Sequence, residues 1–443
     1  MKDLTRLDIT VHQPDALSHY NTAVAGLCRF KNPLPSIDTM LELEPGFPMG
    51  HILNATIHLW STDRDDLPGA LQSLAVPENQ ASAQLNNRER RHLAALQAWA
   101  AGDLHRASAI LDQLLIDYPT DILALLSGHQ LDFFLGDAAN LRDRVARVLP
   151  AWDEQHPLYG YVLGMLSFGQ EEAGHYEQAE ETGLRAVARN PDDIWGIHAV
   201  AHACEMRNHY RDGATFLRDY EPHWSQDNEM ITHNAIHLDL FLLETGELDE
   251  ALRYYDSYVH HPGMPAAPMP LLDGSSVLWR LYLEGTDSGA RAAALSEAWH
   301  EKDGQMFYAF NDAHAIMAYV MNGETDAADA LVNDLRHYAR EGDPRQSNHA
   351  MVVSTGLPVC EALNAFGRGD YNTAIEKLWP IKNTNARFGG SHAQRDVLAR
   401  TLLESAIRSG KRSLSRALLN ERLQARPQSP YNLSKLEEVM ALH

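Results

Sequence analysis

Five histidines carry the chemistry this sequence offers. The segment 192–207 reads DDIWGIHAVAHACEMR. At about 100° per residue on a helix, His202 falls about 40° to one side of His198 and Glu205 about 20° to the other. Two imidazoles and a carboxylate therefore share one face within two turns. The segment 229–245 repeats the spacing with His233 and His237, and FNDAH at 310–314 adds Asn311, Asp312 and His314 at the start of a third helix. An imidazole beside a carboxylate suits general acid–base catalysis, and clustered imidazoles suit a divalent transition metal. The competing reading is bland: buried polar packing or a peptide-binding groove, since a single i,i+4 His pair is common. The spacing is not HExxH, and the inward Glu plus Glu-x-x-His pattern of di-iron bundles is missing, so neither of those mechanisms has support.

Other candidates are weaker. His175 and His209 belong to the turns GHYEQ and NHYRD, while His51 and His58 suit core or cap packing. Cys204 points about 160° away from His202 on the same helix and reads as a packed thiol. With no GxSxG, P-loop or GxGxxG, neither a nucleotide nor a flavin is expected; no cofactor is assigned, and a divalent metal on His198, His202, His233 and His237 stays open.

The elements that must position these residues recur along the chain. A helix, a short Gly-containing turn and a second helix with a small anchor residue appear at Ala107, Ala179, Gly213, Ala251, Ala328 and Ala374. The separations are 72, 34, 38, 77 and 46, so the two long gaps each hold a further degenerate unit, at 121–147 and 275–297. A period of 34 to 38 marks tetratricopeptide-type helical hairpins, whose small anchor lets the second helix pack close to the first. Pro119 and Pro191 each follow an anchor by twelve residues, and the polar turns PTD (119–121) and PDD (191–193) supply carboxylates for the next helix start. Ser391 and Gln394, after the Gly389–Gly390 break, fit a capping box.

The expected fold is thus all-α: a tetratricopeptide-like helical-hairpin solenoid, a right-handed superhelix with capping helices at both ends. Its expected divisions are N-terminal capping helices at 1–75, one continuous array at 76–424 and a C-terminal tail at 425–443. In such an array the first helices line the concave groove and neighbours lie about 8–10 Å apart, so the two His pairs are expected to face each other across one seam.

Composition narrows the function classes. Of 443 residues, 37 are Lys or Arg against 60 Asp or Glu, giving a net charge of −23, so phosphate backbones and anionic lipid are repelled. No nucleic-acid or membrane partner is expected. Cys28, Cys204 and Cys360 are isolated and odd in number, which argues against a disulfide framework and for a reducing, cytoplasmic setting. The N-terminus shows no apolar leader segment.

Several segments carry a likeness to a known family: NNRERRHLAALQAWAAGD (86–103), YPTDILALLSGHQLDFFLG (118–136), DDIWGIHAVAHACEM (192–206), HNAIHLDL (233–240), FNDAH (310–314), GLPVCEAL (356–363) and GGSHAQRD (389–396). In these motifs the chain resembles the tetratricopeptide repeat protein 38 family, from about residue 10 to 430. The resemblance implies a helical-repeat fold and no general activity. It marks His198, His202, Glu205, His233, His237, Asn311, Asp312, His314, Gln394, Arg395 and Asp396 as motif positions; His392 departs from the pattern.

The functional expectation is a concave pocket that binds a small polar, carboxylate-bearing molecule and transforms it by acid–base or metal-assisted chemistry. His198, His202, Glu205, His233, His237, Asp312 and His314 are the reactive candidates; Trp195, Asn311, Gln394, Arg395 and Asp396 are the binding candidates. His202 or His237 would be the base, Glu205 or Asp312 would orient it, and Arg395 would clamp the carboxylate. The alternative is a non-catalytic scaffold taking a peptide or protein along the groove, and a homo-oligomer is compatible with either. Groove positions bearing His, Trp195, Tyr161 and Phe168 rather than Lys and Arg weigh against a carboxylate-clamp adaptor.

Overall fold

The computed structural model describes residues 1–80, 84–261, 264 and 266–441, and apart from one isolated bridge between Lys2 and Asp8 their regular structure is entirely helical. Where each hairpin turns, one residue takes a left-handed backbone: Gly102, Gly136, Gly174, Asn208, Gly246, Gly285, Gly323, Gly369 and Gly410. That conformation strains any residue with a Cβ, and Asn is among the few that tolerate it, which explains the one exception. Successive turn residues lie 34, 38, 34, 38, 39, 38, 46 and 41 apart. The long gaps in the anchor series therefore do hold hairpins, formed by Ile122–Leu135 with Ala138–Val148 and by Pro268–Leu283 with Ala290–His300.

The anchors act as the repeat requires. Ala107, Ala179, Ala251, Ala328 and Ala374 are all buried. A Cβ on Gly213 would stand 2.6 Å from the Phe241 ring and 3.1 Å from the Cys204 Cβ, so this helix approaches its neighbours more closely than alanine allows. The polar turns cap the following helices: Asp121 accepts the Ala124 N–H at 3.0 Å, and Asp193 accepts the Gly196 N–H at 3.1 Å. Ser391 and Gln394 form the expected capping box at the start of His392–Arg408.

Two compact units emerge. The first comprises Met1–Val200, Pro222–Met230 and Arg345–Ser347. It contains the N-terminal helices Pro14–Leu27, Leu34–Leu43, Pro48–Trp60 and Leu67–Asn79, followed by the hairpins that turn at Gly102, Gly136 and Gly174. The second comprises Ala201–Glu221, Ile231–Pro344 and Asn348–His443. The division falls inside the helix Ile194–Met206, between Val200 and Ala201.

Residues 425–443, expected as a tail, contain the helix Pro430–Ala441, while 442 and 443 lie outside the described residues. Its Asn432 is fully buried and donates to the Arg426 carbonyl at 3.0 Å. Among the described residues one helix, Ser347–Gly367, is long and apolar enough to cross a membrane, and most of its apolar stretch is buried within the protein, as in a core helix.

Candidate functional site

The second unit gathers His202 and Glu205 from Ile194–Met206 with His233 and His237 from Ile231–Thr245. All four are buried. The His202 and His237 rings are 4.3 Å apart between centroids, His233 and His237 5.0 Å, and His202 and His233 6.5 Å. One ring nitrogen from each of the three lies within 4.8 Å of the others. The i,i+4 pair on one helix and the facing residue on its neighbour place the trio as the repeat predicts.

Two carboxylates flank the trio with different roles. Asp273, from Pro268–Leu283, accepts from His233 Nδ1 at 2.9 Å and is fully buried. A donated Nδ1–H makes Nε2 the basic nitrogen and fixes the ring plane. Glu205 Oε2 lies 3.7 Å from His237 Nδ1, too long for a hydrogen bond but near enough to act through charge. Burial pushes the Glu205 carboxyl up, but His237 and the Arg426 guanidinium outweigh it and hold it at about 2, so it is a carboxylate at neutral pH. Burial and the neighbouring His202 push His237 down to about 3, so this ring is neutral there.

Beyond Glu205 stands an arginine network that the sequence reading missed. Arg426 Nη1 is 3.5 Å from Glu205 Oε1, and its Nη2 donates to Met206 Sδ at 3.1 Å. Asp396 accepts from Arg422 at 2.8 Å and Arg400 at 2.8 Å and also faces Arg426 at 3.7 Å. Burial raises the Asp396 carboxyl, yet Arg422, Arg426 and Arg400 together hold it well below the ordinary carboxylate range. Arg280 is buried too and donates to the Ala393 carbonyl at 2.7 Å; burial and the nearby Arg400 lower it to about 10.

Arg426 and Met206 also line a cavity of about 380 Å³ with Arg395, Leu398, Leu402 and Leu418 among its walls. The size suits a small organic molecule. Lys382, Arg395, Arg422 and Arg426 in its lining oppose Asp396 and Glu421, a cationic surplus within a chain of net charge −23.

Trp195, Asn311, Asp312, His314, Gln394 and Arg395 have other surroundings, while His198 belongs with the histidines as the sequence spacing expects. His198 sits one turn before His202 on the same helix, in the part belonging to the first unit, with its ring 5.0 Å from Phe168. Trp195 packs edge-on to His129 at 5.2 Å and against Phe30 at 4.5 Å, and its indole N–H has no hydrogen-bond partner among the described residues. Asn311 and Asp312 line a separate cavity of about 20 Å³, room for roughly one water and too small for a substrate. Burial alone pushes the Asp312 carboxyl up to about 7. His314 Nδ1 donates to the Phe310 carbonyl at 2.7 Å on its own helix, and burial lowers its ring to about 4. Gln394 Oε1 accepts the Ser391 N–H at 2.9 Å as half of the capping box. Arg395 donates to the Gly389 and Gly390 carbonyls and also borders the large cavity.

No family model matches the chain. Among solved structures it is similar to the APC/C hetero-tetramer Cut9–Hcn1, at a TM-score of 0.45 and 11% identity over 96% of this chain and 76% of that one. It is also similar to yeast Tom70, at 0.40 and 10% over 96% of this chain and 91% of that one. A human IFIT1 dimer with m7Gppp-AAAA gives 0.37 and 15% over 98% of this chain and 96% of that one. Nothing about ligand or chemistry follows from likeness at this level.

Proposed function

We propose that the protein binds a small carboxylate-bearing molecule in the 380 Å³ cavity and acts on it by proton transfer at the imidazole trio. One observation carries this reading: Glu205 reaches Arg426, a wall of the cavity, with one oxygen and His237 with the other. Arg395 and Arg426 would hold the carboxylate while Leu398, Leu402 and Leu418 cover the apolar body. His233, oriented by Asp273, would be the base.

The motif likeness to the tetratricopeptide repeat protein 38 family is part of the same reading, and so is a cytosolic setting, supported by three buried free thiols at Cys28, Cys204 and Cys360.

Graded monocarboxylates test it. Hexanoate and decanoate are expected to raise the melting temperature with concentration, by mass action on the folded state, while the matching alcohols do not. Leu402→Trp, which fills the cavity, should abolish the shift. Equal shifts from acid and alcohol, or none from either, would sink the proposal.

A second reading is favoured by the helical hairpins themselves, a fold suited to holding partner chains: a scaffold that takes a peptide. A stoichiometric peptide partner retained by the His202→Ala plus His237→Ala variant would favour it.

A further inference from the structure

The imidazole trio departs from ordinary core packing in one respect. A buried histidine usually has a single backbone or carboxylate partner, as His314 has the Phe310 carbonyl and His233 has Asp273, and no other imidazoles against it. Here three rings turn toward one another, and one ring nitrogen from each falls within 4.8 Å of the others. Two nitrogens on a tetrahedral ion with bonds of about 2.0–2.1 Å stand roughly 3.3 Å apart, so side-chain rotation of an ångström or so closes the set.

From this geometry we infer that His202, His233 and His237 form a binding site for one divalent transition-metal ion, with Asp273 as the outer partner that orients His233. The inference rests on the trio being the reactive end of the site proposed above; with an ion on His233 Nε2, water on that ion would take the base's role in place of the ring. Two ligands come from one helix at i and i+4 and one from its neighbour, all on rigid elements, which is how a site holds its geometry. The donor set selects the ion class: imidazole nitrogens suit zinc, cobalt, nickel or copper, whereas magnesium and calcium need oxygen ligands.

Asp273 strengthens the case. Ligating histidines characteristically donate their other ring N–H to a carboxylate, and the His233–Asp273 contact of 2.9 Å is that bond, with the carboxylate fully buried on a third helix. A purely structural His–Asp pair would not also need two further imidazoles against the same ring.

The test uses the full chain, stripped with a chelator and titrated with Co²⁺. One equivalent should bind and give the visible d–d absorption of a four- or five-coordinate ion. Asp273→Asn should weaken binding roughly 10–100-fold. His202→Ala plus His237→Ala should abolish it, while His314→Ala, outside the trio, should retain it. If the double variant does not fold, the single His237→Gln change and cobalt X-ray absorption on the wild-type chain replace it. Absence of stoichiometric uptake, or a first shell without imidazole scattering, would overturn the inference. Metal uptake without carboxylate binding supports the metal site and removes the cavity reading; carboxylate binding without metal uptake does the reverse.

Discussion

His233 and Asp273 lie forty residues apart in sequence, yet His233 Nδ1 stands 2.9 Å from Asp273 Oδ2 inside the second unit. The pair joins first helices of consecutive hairpins, so the orientation of one imidazole depends on the register between two repeats.

Replacing Asp273 with Asn should release that orientation. Nitrogen-15 shifts of the labelled wild-type ring are expected to report Nδ1–H, and Asp273→Asn should give mixed tautomers with a stability loss of about 1–3 kcal/mol. An unchanged tautomer in the variant would show that the carboxylate does not set it.

Asp396 is shared by Arg400, Arg422 and Arg426, so Asp396→Asn leaves buried guanidiniums without their counter-charge. We expect a loss of about 3–5 kcal/mol, read as a lower urea midpoint at unchanged slope. Because the folded carboxyl is held well below its ordinary value, its contribution is present above about pH 4 and is lost as pH falls below that. The difference between wild type and variant should therefore shrink in acid.

Asp312 has the opposite sign. Burial raises it from 3.8 to about 7, so between those values the folded chain binds more protons than the unfolded one and stability falls as pH rises. The slope this adds approaches about 1.4 kcal/mol per pH unit in mid-range. Urea unfolding at pH 5 and pH 8 should show a smaller loss in Asp312→Asn than in wild type. Parallel losses would remove Asp312 as the cause.

Gly213→Ala sets two effects against each other. Helix propensity favours Ala by about 1 kcal/mol, whereas overpacking typically costs about 1–3 kcal/mol. The added methyl would meet the rigid Phe241 ring at 2.6 Å and the Cys204 Cβ at 3.1 Å, so packing should win and the variant should unfold at lower urea. A stabilised variant would show that the neighbouring helices can spread.

The legible part of this protein is what helical periodicity and the repeat period determine. His202 and Glu205 share a face because of their spacing, and His237 meets them because consecutive first helices are neighbours. The same logic fails for Asp312 and His314. His314 precedes the anchor Ala328 by the same fourteen residues as His237 precedes Ala251, with Asp312 two residues before it, but the helix Pro268–Leu283 intervenes between Ile231–Thr245 and Ala309–Met321. At about 8–10 Å per helix, equivalence of register does not bring side chains together.

Asp273 was hidden for another reason. A single acid in PMPLLDGSSVLW carries no periodic signal, and only its partner forty residues earlier gives it meaning. Arg426 was hidden because RPQSP reads as the end of structure, whereas the chain turns there and buries Asn432 against the Arg426 carbonyl.

That last contact bears on the order in which the molecule is made. Arg426 and Arg422 are tethered by Asn432, and Ser429 donates to Glu244, the partner of Arg400, at 2.9 Å. The imidazoles leave the ribosome some two hundred residues before these tethers do. During synthesis the histidines are thus made well before Arg422 and Arg426, so the arginine that faces Glu205 can join them only once the C-terminal helix has been added.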